Sequence, residues 1–411
     1  MSKNYTFDKT MNYKFLIEDG ILKNTYLVNG YDKLRSITIP NYVTELSSTA
    51  FSHCLSCYVE NIYIPNSVKI VQNGAFCEFE GTFNIEPGCS AVTYENGILF
   101  SKDKKRIIKA TNIVKGLPIT IPEGVVEIGK KAFYKLSISN VIFPETLEFI
   151  GKEAFSFNEL TDIHLPESLL KIDSEAFIFN KLTTIFLPKN IRTICSGAFL
   201  YNNLFSFIVD DNNTSFVSHE GVLFNKKKNK LIQCPPKKTG IFKIPDTTKQ
   251  ILKGAFSFSE LDEITIPSTI GRSLSDFCST SRIKKIVIED GVENISHSAF
   301  LNCMFLREVV LPNSIKRIEN QAFNGCPRLE KINIPKGIEY IGGLAFNSSV
   351  IEEIYIPSSV TNIGAYAFPR IHNSSVSNEE KKKIALKHLL IENNPYAVKY
   401  AVEYDYPYKE I

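Results

Sequence analysis

A chain of 411 residues with 47 basic and 44 acidic side chains, a formal charge of +3, is too balanced to be organised around nucleic acid. Its apolar fraction of 44% is that of an ordinary folded protein, yet no apolar run reaches the roughly 18 residues of a membrane-spanning helix. The nine cysteines cannot all pair within one chain, which favours a reducing compartment.

The N-terminal MSKNYTFDKTMNYKF lacks the basic start and apolar core of a secretory leader. The chain is therefore expected in the cytosol unless a leader has been removed. Residues 1–30 contain LIEDGILKNTYLV, which reads as a hairpin that caps the array to follow.

From residue 31 a repeat takes over, and it is plainest between Pro144 and Phe199. There the chain reads PETLEFIGKEAFSFNELTDIHL, PESLLKIDSEAFIFNKLTTIFL and PKNIRTICSGAF, in units of 22 residues. Counting each opening proline as zero, apolar residues fall at +3 and +6, Ala-Phe at +10 and +11, and a small polar residue or Cys at +14. Prolines 40, 65, 122, 144, 166, 188, 245, 267, 312, 335 and 357 open units, and Glu289 takes the same place in one more. Only the unit with Phe277 slips, by one residue. A fixed period of this length is the mark of a solenoid, in which each unit touches only its neighbours.

The segment before each proline (TDIHL, TTIFL, EITI, EIYI) alternates apolar and polar, the period of a short strand that proline then ends. The +3, +6, +10 spacing that follows predicts a short helix or 3-10 turn. At +14, Cys54, Asn158, Asn180, Asn202, Ser259, Cys303, Cys326 and Ser349 are placed to hydrogen-bond backbone left unpaired at a bend. Cys303 and Cys326 fall in neighbouring coils. Because Asn substitutes at this position, buried reduced thiols are favoured over a disulfide.

The expected organisation is first repeats at 31–92, a hairpin insertion at 93–118, central repeats at 119–210, a second hairpin insertion at 211–241 and C-terminal repeats at 242–369. Both insertions carry Gly-Ile/Val-Leu-Phe, then a basic turn at Lys102–Lys105 or Lys226–Asn229, then a second apolar run. Residues 370–411 form a C-terminal cap: a polar loop at 370–383, a last strand in IALKHLLIENN, and a helix begun by Asn-Pro whose tyrosines cover the final coil.

In register, the units IPxxVxxIGxxAFxxC/NxLxxI resemble the BspA-like leucine-rich repeat family over roughly residues 30–370. The expected fold is an α/β repeat, a leucine-rich-repeat solenoid with a parallel β-sheet on one face, short α-helical or 3-10 turns opposite and β-hairpin insertions. The resemblance implies a right-handed solenoid and, for many members, a surface protein that binds host proteins or other cells. It brings no catalytic residues.

Two positions before the proline, Ile142, His164 and Phe186 stack along the outer sheet face, with Ile208 one period on; Ile142, Phe186 and Ile208 are apolar where a solvated face is normally polar. They form either a docking surface for a protein ligand or a face covered by a neighbouring segment. Four before the proline, Glu263, Lys285, Glu308, Lys331 and Glu353 alternate in sign, a ladder that sets register or, flanked by Tyr355, a polar docking surface.

The function expected is non-enzymatic protein binding or adhesion by a monomer, the partner a host extracellular-matrix or cell-surface protein. The alternative is a carbohydrate or polyanion binder using Lys102, Lys104, Lys105, Lys226, Lys227 and Lys228. The CxxC at Cys54–Cys57 has no second ligand pair, and HExxH, GxSxG and glycine-rich phosphate loops are missing from the sequence, so neither metal, cofactor nor enzymatic activity is expected.

Overall fold

The computed structural model describes residues 5–6, 13–27, 34–52, 59–111, 113, 116–252, 254–270, 281–369 and 386–411. The CxxC at Cys54–Cys57, the slipped Phe277 and the expected loop at 370–383 lie outside them. The chain forms two compact units, Met1–Asn202 with Asp210–Ser215, and Asn203–Val209 with Phe216–Ile411.

In the first unit each coil has three hydrogen-bonded sides. One is the strand before the proline: Ile119–Thr120 pairs in parallel with Val141–Ile142, and Ile142 bridges to His164. The second is a two-residue strand at +5 and +6. Glu127–Ile128, Phe149–Ile150, Lys171–Ile172 and Thr193–Ile194 stack in parallel, each one period from the next. The third is the Ala-Phe corner, where the N–H groups of Phe133, Phe155 and Phe177 donate to the carbonyls of Ala154, Ala176 and Ala198 at 2.8, 2.8 and 2.9 Å. These coils thus satisfy backbone groups on the coil beside them, as buried backbone requires.

The helix-like spacing is realised by turns with very little helix. Ala154 N donates to Gly151 O and Ser156 N to Glu153 O, at 3.1 and 3.2 Å, in successive three-residue turns. Between them the chain enters the left-handed region. Lys131, Glu153 and Glu175 at +9, and Lys135, Phe157, Phe179 and Tyr201 at +13, have φ of 52° to 60°. A left-handed residue every fourth position stops a helix while keeping its apolar spacing. Among the described residues, helix is confined to Pro395–Glu403 and a 3-10 turn at Ser268–Ile270.

The phenylalanines at +11 form the core. Phe133, Phe155, Phe177 and Phe199 are fully buried and stacked, with centroids 4.9, 5.4 and 5.6 Å apart and rings within 5° of parallel. Burying each contributes about 2–3 kcal/mol. Beside them runs a column of buried asparagines. Asn158 Oδ1 accepts from Leu136 N and Ile138 N at 3.1 and 3.0 Å, and its Nδ2 donates to Phe133 O and Phe155 O at 2.7 and 3.0 Å. Asn180 and Asn202 repeat the arrangement one and two coils on.

Antiparallel hairpins lead into the coils. In the first unit, Tyr13–Glu18 and Ile21–Leu27 meet at Asp19-Gly20, and Val92–Glu95 and Ile98–Ser101 meet at Asn96-Gly97, all four turn residues at positive φ. These are two-residue turns of the I′ kind, which match strand twist. Arg106–Ala110 follows as a third strand, antiparallel to Ile98–Ser101, and in each case the last strand enters the second sheet: Ile21–Leu27 pairs with Glu45–Leu46, and Arg106–Ala110 pairs with Glu127–Ile128. Lys109 on that last strand is 1% exposed, its ammonium donating to Cys77 O at 3.0 Å and Lys131 O at 3.3 Å. It ties the coil before the insertion to the coil after it.

The second unit repeats the plan. Its hairpin turns at Glu220-Gly221, and Lys230–Gln233 pairs with Gln250–Ile251. The strands Ile241–Lys243, Glu263–Ile266, Lys285–Ile288, Glu308–Val310 and Lys331–Ile332 form one parallel sheet. Phe300, Phe323, Phe346 and Phe368 stack behind it. Cys303 and Cys326 are buried thiols. His388–Ile391 pairs in parallel with Glu353–Ile356, and the helix Pro395–Glu403 is capped by Asn394, which accepts from Ala397 N at 3.0 Å. Tyr400 and Tyr406 set their rings edge-on to Phe368.

Candidate surface on the sheet face and its corner

Strand alternation decides which side chains reach solvent. Val141, Phe143, Ile163, Leu165, Ile185 and Leu187 turn into the core, leaving Ile142, His164 and Phe186 outside. Ile142 is 54% and Phe186 39% exposed. The bridge from Ile142 to His164 makes these two lateral neighbours, at the roughly 4.8 Å spacing of adjacent strands. Thr120, paired with Ile142 on its other side, is polar and exposed. Ile208 belongs to the second unit and is 49% exposed there, between the buried Phe207 and half-buried Val209.

A second exposed column in the first unit escaped the sequence reading. Phe157, Phe179 and Tyr201, the left-handed residues at +13, are about two-fifths exposed, and their rings stack at 4.4 and 4.2 Å. Tyr134 meets Phe157 edge-on at 5.6 Å, and the Lys135 ammonium lies 5.0 and 5.3 Å from those two ring centres. The signal was present in the register, since aligning the prolines writes Lys135, Phe157, Phe179 and Tyr201 in one column. Aromatic side chains rarely adopt this backbone conformation, so their recurrence there is unusual.

In the second unit, Glu263, Lys285, Glu308 and Lys331 stand opposite one another in register, with Lys285 Nζ 3.4 Å from Glu263 and 3.8 Å from Glu308. Glu353 faces His388 at 3.8 Å. A neighbouring rung is formed by Lys284 and Asp262 at 2.7 Å. Tyr355 is half-buried. Its hydroxyl donates to Glu392, and burial together with that carboxylate pushes the phenol up to about 12.

The hairpin lysines are partly neutralised. Lys102, Lys104 and Lys105 are exposed in the turn before Arg106–Ala110, but Lys104 pairs with Glu95 at 2.7 Å. Asp103 in the same turn accepts from Ser101 Oγ and Lys105 N, which holds its carboxyl below the usual range. In the second unit Lys226 and Lys227 are exposed, while Lys228 Nζ lies 3.3 Å from His219 Nδ1. Burial and the Lys228 charge lower the His219 pKa. Among the described residues, no group of three or more His, Cys, Asp or Glu could hold a metal ion, and no helix is long and apolar enough to cross a membrane.

Residues 3–118, 111–229, 237–278 and 249–377 match the family model described as BspA type leucine rich repeat region, six copies. Two solved structures are similar over nearly their whole length. The pneumococcal vaccine antigen PcpA is 22% identical, with 100% of this chain and 98% of that chain covered and a TM-score of 0.50. A leucine-rich repeat protein from Eubacterium ventriosum is 20% identical, with 90% and 96% covered and a TM-score of 0.50. At these identities the likeness concerns the fold. No curated protein matches the chain.

Proposed function

The chain belongs to the BspA-type leucine-rich repeat family, and from that premise we propose that it is a non-enzymatic protein-binding scaffold that docks its partner on the sheet face of the first unit. The observation that carries the reading is the exposure of Ile142 and Phe186 in the one strand position that alternation turns to solvent, with His164 in line between them. Exposed apolar patches of this kind mark interaction sites, and aromatic side chains are the usual anchors. Ile208 and Tyr355 are lesser contributors on the second unit, Tyr355 through its ring because Glu392 holds its hydroxyl. The partner class proposed is a host extracellular-matrix or cell-surface protein.

Immobilised fibronectin, laminin and collagen provide a first panel for surface plasmon resonance. Capture by the wild type should disappear in the double variant His164→Ala, Phe186→Ser and persist in Lys226→Ser, Lys227→Ser. If capture survives the first pair but fails in high salt or in the lysine variant, binding runs through the basic hairpin and the sheet-face reading falls.

A further inference from the structure

We propose that the first unit carries a binding cleft for a short uncharged oligosaccharide, centred on Tyr63 and separate from the row at Ile142. Here the strands Leu34–Thr38, Val59–Ile64 and Thr82–Ile85 lie side by side, and the register sets Tyr63 between Thr38 and Asn84. Where these strands end, they enclose a cleft of about 600 Å³, the size range of small-molecule sites. Pro40, Pro65 and Pro87 line its walls together with Ile39, Ile64 and Ile85.

Tyr63 is 45% exposed, and its neighbours on both strands are small or polar. Among the described residues no other aromatic ring stacks on it. The contrast with Phe179 is instructive, because that ring lies between Phe157 and Tyr201 and has little free face to offer. A free tyrosine face suits the C–H side of a pyranose ring, which is apolar and flat while its hydroxyls point outward. The hydroxyls would meet Asn41 and Asn84, amides that both donate and accept, and the Tyr63 hydroxyl. None of these side chains is committed to a hydrogen bond among the described residues.

Charge narrows the class. Glu86 is the single acid lining the cleft, and no Lys, Arg or His lines it. One Glu86 oxygen accepts from Asn66 N at 2.8 Å. A carboxylate with no cation beside it repels sulfated or uronic saccharides and tolerates neutral ones. The backbone narrows it further. Val59–Ile64 is paired along both edges, Ile39 N donates to Tyr63 O, and Glu86 N donates to Ile64 O, so the strand that carries Tyr63 has no open edge for an extended peptide to join, the outer strands of this sheet being Leu34–Thr38 and Thr82–Ile85. Recognition must come from side chains and the apolar walls.

Saturation-transfer NMR on the intact protein with maltotriose, cellotriose and triacetylchitotriose tests this. At least one should receive saturation at its ring C–H protons. Tyr63→Ala should weaken binding by about tenfold or more, while Tyr63→Phe retains most of it. Asn84→Ala provides a second variant at a solvent-facing position, with an expected loss of several-fold. A heparin disaccharide should show no transfer. The proposal is overturned if none of the three neutral sugars receives saturation, if transfer is unchanged in both Tyr63→Ala and Asn84→Ala, if the heparin fragment binds instead, or if a proline-rich peptide occupies the cleft and the sugars do not displace it. Because His164 and Phe186 are untouched by these variants, the outcome is independent of protein capture.

Discussion

Asn180 Nδ2 lies 2.8 Å from the carbonyl oxygen of Phe155, one coil back, and 3.0 Å from that of Phe177 in its own coil. One buried amide therefore closes its own bend and fastens the neighbouring one. Asn180→Ala leaves Leu160 N without its partner and takes one of two amide donors from each carbonyl, since Asn158 still serves Phe155 O and Asn202 still serves Phe177 O, and should lower unfolding stability by about 2 kcal/mol in urea melts. Ser349 holds the same +14 position in the second unit, fully buried, with no hydrogen-bond partner for its hydroxyl among the described residues. Ser349→Asn should extend the asparagine arrangement and raise stability by about 1 kcal/mol.

Lys285 stands between Glu263 and Glu308, and all three side chains are partly exposed, so each pair contributes little. Lys285→Gln should lose about 0.5–1 kcal/mol, and Lys285→Glu, which lines up three carboxylates, about 1–2 kcal/mol. The gap between the two variants should shrink as salt is added. A gap unaffected by salt would point to packing.

Burial pulls the Lys109 ammonium down to about 8 from the usual 10.5. The folded state gives up this proton before the unfolded state does, so between about pH 8 and 10.5 the unfolded chain binds more protons and the lysine makes stability rise with pH. Cys77 and Tyr400, whose pKa values are raised, act in the opposite sense at high pH. The measurable quantity is thus the difference between wild type and Lys109→Met. Across that window the wild type should gain about 3 kcal/mol relative to the variant, read from denaturation midpoints at stepped pH.

Phe179 occupies a left-handed position, which disfavours a bulky side chain by about 1–2 kcal/mol, while each stacked ring pair returns about 0.5–1.5 kcal/mol. The two effects nearly cancel. Phe179→Asn, a residue that tolerates this conformation, should change stability by less than about 1 kcal/mol. A loss well above 2 kcal/mol would make the aromatic column a structural prop.

The core was legible because proline, alanine and phenylalanine recur in one register, and Phe155 and Phe177 lie where that register puts them. The strand before each proline was legible for the same reason, since Ile185-Phe186-Leu187 alternates. The second sheet was not. A two-residue strand such as Phe149–Ile150 is too short to display a period, and its regularity lies between coils. The left-handed corners were hidden by their occupants, because Lys131, Glu153 and Phe157 stand where glycine would have announced the turn. Three-residue turns also copy the apolar spacing of a helix, which is why +3, +6 and +10 suggested one. The Tyr63 cleft could not be read at all, since Asn41, Asn84 and Glu86 come together only when their strand ends are set side by side.

The lateral hydrogen bonds of each coil bear on how such a chain can change its length. A coil presents to the next the same donors and acceptors that it takes from the one before, as Phe155 N on Ala176 O follows Phe133 N on Ala154 O. Whole 22-residue units can therefore be duplicated or excised with the seam between neighbours preserved. Loss of a single residue from the Pro144–Phe199 stretch would instead shift buried positions onto the solvent face and misalign all three sides at once. Natural variation in this chain is expected to come in entire coils, with point changes gathered on outward positions such as Ile142 and Phe186.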